Sequence, residues 1–182
     1  MHAIFIHSLG GNSDETFFPW VRAELQKSGY QTSAPELPSP DDPTREGWVE
    51  AVMKVYDPHQ ETIFVGRSLG GSLIPSVLER EGVKAKAAFS ICAPFTDLGW
   101  KSMMRFFSSP QPDFAKAKAS VNHYQHWYSD NDPYPSITDA KLYQKRLGGE
   151  LRIFPGYQHF WNTEFPELVE AIQKTVAMKK TP

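Results

Sequence analysis

Residues 62–72 read TIFVGRSLGGS, a run of β-formers passing directly into Gly66-Arg67-Ser68-Leu69-Gly70 and then into a helical pattern. This stretch constrains the fold more than any other. A strand that must become a helix around a single residue makes a turn so sharp that the two backbones almost touch. Side chains two positions before and two after the central serine would collide, so glycine is needed at both places. The same Ser-Leu-Gly-Gly occurs earlier, in IFIHSLGGN at residues 4–12. There the residue two before the serine is Ile6, β-branched and bulky, so the first copy does not make that turn.

The rest of the chain repeats the strand-then-helix rhythm of a parallel sheet covered by helices. Strands are predicted at residues 3–6, 31–34, 62–66, 85–92, 122–129 and 151–154. A helix is predicted over 14–27, where Phe18, Val21 and Leu25 form one stripe, and another after Asp42-Pro43, read as an N-cap and a first-turn proline. A third runs from the second Ser-Leu-Gly-Gly to about Arg80. Ser136 and Asp139 form a Ser-x-x-Asp capping signal before a helix that stops at Gly148-Gly149. The last carries Leu168, Ile172 and Val176 on one face. Residues 95–118, rich in proline and serine, read as irregular. The expectation is one α/β domain over residues 1–182, with about six mostly parallel strands and helices on both faces.

Bulk properties exclude several classes of function. With 182 residues, a formal net charge of −2 and 40% apolar residues, the chain buries a substantial core and lacks the dense basic face of a nucleic-acid binder. A single cysteine, Cys92, excludes an internal disulfide and a cysteine-based metal cage. It fits a reducing compartment, and the apolar N-terminal run is too short for a signal peptide or a membrane span. The expectation is a cytoplasmic protein without a metal, acting on no nucleic acid and on no membrane.

Gly-x-Ser-x-Gly between a strand and a helix is the context of a nucleophile elbow. A serine hydroxyl attacks poorly until an imidazole takes its proton, and the imidazole needs a carboxylate to hold its tautomer. In this arrangement the order along the chain is serine, acid, histidine. Of the six histidines, His123, His126 and His159 follow Ser68. His123 and His126 lie on a strand three positions apart and so face opposite ways. His159 falls in the loop after the last strand, at the carboxyl edge where open α/β sheets bind ligands. Asp130 and Asp132 both lie just beyond the fifth strand on that edge. The N–H of Leu69 is the first candidate donor to an oxyanion, and the earlier Gly10-Gly11 loop offers a second, assigned to Leu9. Phe17, Phe18, Trp100, Phe106, Phe107 and Trp161 are candidates for an apolar substrate pocket, against the competing role of such aromatics as core. Arg67 is either a surface arginine or a contact for an acidic substrate group.

The segments GRSLGG, SDNDPYP and HFWNTEFPEL, with FFPWVRAELQKSGYQTSAPELPSPDDPTREGWVEAV, resemble the small serine hydrolases of the retinoblastoma-binding protein 9 family. The resemblance spans nearly the whole chain and is weakest over residues 100–120. It implies an α/β-hydrolase fold, a three-layer sandwich lacking the first antiparallel strands and a large lid. It implies a cofactor-independent esterase whose nucleophile, acid and base fall on Ser68, Asp132 and His159. The substrate would be a small or medium ester or amide. The human member's Leu-x-Cys-x-Glu partner motif is not matched around Cys92, so no protein partner is implied.

Overall fold

The computed structural model describes residues 1–178. Six strands form one sheet, all neighbours parallel, in the order β2-β1-β3-β4-β5-β6. They are β1 (His2–Ile6), β2 (Gln31–Ser33), β3 (Thr62–Arg67), β4 (Ala85–Ile91), β5 (Val121–Ser129) and β6 (Glu150–Phe154). The central strands β1, β3 and β4 are buried almost throughout, as parallel strands covered on both sides must be.

Alternate side chains feed two separate cores. On one face Ile4, Phe64 and Ala88 pack with Trp48, Leu73, Met103 and Tyr143. These come from α2 (Arg45–Met53), α3 (Leu69–Leu78), α4 (Lys101–Ser108) and α6 (Ile137–Leu147), and α5 (Phe114–Ala119) adds Ala117. On the other face Phe5, Val65 and Phe89 meet Phe18, Val21 and Leu25 of α1 (Phe18–Lys27) and Leu168 and Ile172 of α7 (Pro166–Ala177). The sandwich is therefore α/β/α, as the period-2 strands and 3.6-period helices predict.

Three local expectations need correction. Residues 95–118 are not irregular: they hold α4 and α5, with Asp113 capping the latter by accepting from the Lys116 N–H at 3.0 Å. The cap of α2 is Thr44, whose side chain accepts from the Gly47 N–H, not Asp42. Helix α1 begins four residues later than the pattern suggested, because residues 14–17 fold as turns. The Ser136–Asp139 capping box is present as read.

The strand order reverses between β1 and β3, which leave the sheet with their following helices on opposite faces. Loops after these two strands open a crevice at the carboxyl edge, the place where such sheets bind ligands. No helix of the described residues is long and apolar enough to cross a membrane.

Candidate active site

Ser68 stands at the junction of β3 and α3 with φ 51° and ψ −122°, a strained conformation for a residue with a side chain. Its N–H donates to the Ile91 carbonyl at 2.8 Å, so the turn is pinned to β4. The flanking glycines are sterically required. A Cβ on Gly66 would lie 2.5 Å from the Gly70 carbonyl oxygen, and one on Gly70 would lie 2.1 Å from that of Ile6. The two Ser-Leu-Gly-Gly copies therefore meet: the second packs its glycine onto the backbone leading into the first.

His159 lies in the loop after β6. Its Nδ1 donates to Asp132 Oδ2 at 2.9 Å and approaches Oδ1 at 3.1 Å, which leaves Nε2 unprotonated in the neutral ring. The Asp132 side chain is 0% exposed and that of His159 7%, so the pair is almost wholly withdrawn from water. Asp132 Oδ1 also accepts from the Tyr134 N–H at 2.9 Å. Asp130 instead accepts from the Gly156 N–H at 2.8 Å and braces the β6 loop. His126 is buried in the sheet with Nε2 at 2.9 Å from the Gly148 carbonyl, and His123 lies elsewhere on β5; neither faces the crevice.

The Nε2 edge of His159 faces Cys92 Sγ at 4.0 Å. Burial pulls the imidazole down, but the Cys92 sulfur and the Asp132 carboxylate outweigh it and raise His159 to about 9. Ser68 and His159 line the same cavity of about 220 Å³, although the hydroxyl is not among the imidazole's hydrogen-bond partners in this arrangement. Catalytic hydrogen bonds are often long before substrate binds. A larger hollow of about 540 Å³, lined in part by Arg45, Glu79 and Arg80, contains no histidine.

Arg67 is not on the protein surface, although it lines the cavity. It is 4% exposed, and its guanidinium donates to the His159 carbonyl at 2.8 Å, the Phe160 carbonyl at 3.3 Å and Ser8 Oγ at 3.1 Å. Glu15 Oε1 stands 3.5 Å away, and this carboxylate accepts from both the N–H and the hydroxyl of Ser8. One planar cation thus ties together the loop after β1, the elbow and the loop carrying His159. Only Arg offers enough donors in a fixed fork for this.

The first Ser-Leu-Gly-Gly loop is held by His7, whose Nε2 accepts from the Leu37 N–H at 3.1 Å while Nδ1 donates to the Ser8 carbonyl at 2.9 Å. Among the described residues the N–H groups of Leu9 and Leu69 reach no backbone carbonyl. Leu9 lines the cavity, and Leu69 opens α3, where the helix's positive end faces the serine.

Of the six aromatics expected in a pocket, Trp100 and Trp161 line this cavity. Phe17, Phe18 and Phe106 do not: each is 0% exposed, the first two under α1 and the third against Trp48. Phe107 packs beside Phe106 and under the Arg45 guanidinium. Phe17, Phe18 and Phe106 belong to the core, and Phe107 is partly buried against it. Tyr134, which the sequence reading did not single out, lines the cavity and stands edge-on to His159 with ring centres 4.8 Å apart. Its place two residues after Asp132 was the available signal.

Cys92, Asp132 and His159 bring three potential metal ligands within 4.8 Å of one another. Asp132 holds Nδ1 while Cys92 faces Nε2.

A parallel sheet with a strained serine at the switch point and a buried acid–imidazole pair beside it has the architecture of the α/β-hydrolase fold. The family model described as serine hydrolase matches residues 3–174, and the chain belongs to that family. It is 27% identical to serine hydrolase RBBP9 of Rattus norvegicus over 176 residues, covering 94% of this chain and 93% of the relative. Similarity to YdeN of Bacillus subtilis reaches 31% over 158 residues, 80% of this chain and 83% of that protein. The crystal structure of the YdeN product superposes with a TM-score of 0.87 over 97% of this chain and 99% of that one, at 20% identity.

Proposed function

We propose that this serine hydrolase is a carboxylesterase-type enzyme in which Ser68, His159 and Asp132 work as one relay on small or medium esters. The observation that carries the reading is the buried Asp132–His159 hydrogen bond on the wall of the cavity that also holds Ser68. Nε2 takes the hydroxyl proton as Oγ bonds to the acyl carbon, and the carbonyl electrons move onto oxygen. The N–H groups of Leu69 and Leu9 receive that negative charge. Nε2–H then protonates the leaving alcohol as the ester C–O bond breaks. A water molecule gives its proton to Nε2 while attacking the acyl-enzyme, and Ser68 leaves with the proton restored. Asp132 fixes the tautomer and stabilises the imidazolium. The lone buried thiol suits a cytoplasmic location.

A fluorophosphonate probe with mass-spectrometric mapping tests the assignment. The expected result is one adduct on Ser68, lost in Ser68→Ala and His159→Ala. A folded, unlabelled wild-type protein would instead point to a binding protein on a hydrolase scaffold.

The pH dependence follows from the raised imidazole. Only neutral His159 accepts a proton, so log kcat/KM, which reports the free enzyme, should climb with pH and level off near 9. A free histidine would place that limb at ~6.5. Cys92→Ala removes one of the raising neighbours and should move the limb to lower pH. The linked stability has the opposite sense. A group whose folded value is raised stabilises fully below ~6.5 and loses that contribution as pH passes about 9. A rate profile already flat at pH 6 would contradict the account.

A further inference from the structure

We propose that the substrates are uncharged esters bearing one flat aromatic ring, held by an aromatic clasp of Trp100, Tyr134 and Trp161. This rests on the serine-hydrolase site above and names what that site takes. The three rings are 40%, 41% and 48% exposed, although burying such side chains is among the most favourable moves available to a fold. They are also not scattered. Tyr134 stands edge-on to Trp100 at 5.0 Å and to Trp161 at 6.2 Å between centres, and all three line the cavity of Ser68. A contiguous exposed apolar group at a cavity mouth marks a binding surface.

Charge selects against other occupants. Apart from the tyrosine, the ionisable groups on the cavity wall are Arg67 and His159. Arg67 spends its donors on two carbonyls, a hydroxyl and Glu15, and the charge His159 carries when protonated is answered by Asp132, so no unpartnered cation is left for an anionic substrate. Asp132 is fully covered and cannot receive a cationic one. Volume sets the size: about 220 Å³ lies below the ~300 Å³ at which drug-sized pockets begin, enough for a single ring and a short linker. Edge-on walls at these spacings favour a planar π-face over a puckered ring of equal size.

The test compares kcat/KM for matched ester pairs with the wild-type enzyme, Trp100→Leu and Tyr134→Leu. Benzyl acetate against cyclohexylmethyl acetate places the ring in the alcohol, and methyl phenylacetate against methyl cyclohexylacetate places it in the acyl group. Monomethyl succinate against methyl pentanoate reads charge. In at least one ring pair the aromatic member should be preferred by about threefold to tenfold, the range of aromatic pair energies. The preference should shrink toward one in the leucine variants, and the anionic ester should be the poorer of its pair. Fluorophosphonate labelling of Ser68 runs in parallel. Labelled enzyme that turns over these esters with no ring preference, or with one the variants retain, overturns the clasp alone. Absence of both labelling and turnover overturns the clasp together with the site it rests on.

Discussion

Ser68→Ala should lower kcat for ester hydrolysis by about 10⁶-fold, and His159→Ala by a similar factor, with the double variant scarcely worse than either. The proposed relay moves one proton between two atoms, so removing either end removes the same event. Asp132→Asn should cost about 10⁴-fold, since an amide on Nδ1 can hold the ring in the wrong tautomer. The acid's complete burial leaves no water to substitute for it. Initial rates on a simple ester, with melting curves to show that the variants fold, measure this. Single effects that multiply would contradict a shared proton transfer, and a Ser68→Ala variant that keeps even a hundredth of wild-type kcat would mean that another group attacks.

Arg67→Met should destabilise the protein by about 3–5 kcal/mol, the usual result of stripping one partner from a buried ion pair. Glu15 would be left with a side chain only 8% exposed and no cation. For a chain of this length each 1 kcal/mol moves Tm by about 2–4 °C, so a fall of roughly 6–20 °C is expected. The proposed esterase activity should fall further than stability explains, because the His159 and Phe160 carbonyls lose the donors that seat their loop. Arg67→Lys keeps the charge but not the fork, so Tm should recover more than kcat. A Tm within 2 °C of wild type in Arg67→Met would show that the network does not hold the site.

How much of this was legible in the sequence depended on range. The elbow was readable because its steric demand is local: Gly66, Ser68 and Gly70 declare it within five positions. The sheet and most helices followed from short-range periodicity, and His159 from its position after the last strand. Asp132 over Asp130 came from family likeness, since both sit in one turn and differ only in which residue of the distant loop after β6 they meet. Arg67 was misread for the same reason. A long cation looks superficial unless one knows that carbonyls 92 and 93 positions later come to meet it. The α4–α5 segment was missed because its prolines and serines outweighed a short amphipathic pattern. Phe17, Phe18 and Phe106 were offered to a pocket because sequence records that a ring is apolar but not which neighbour covers it.

The serine's amide bonds to the end of β4, and the Cys92 amide bonds in turn to Trp127 on β5, so the reactive loops continue the middle of the sheet. In proteins generally such interior ladders open only when the whole molecule does. The amides of Ser68 and Cys92 should therefore exchange with solvent only as the sheet itself opens.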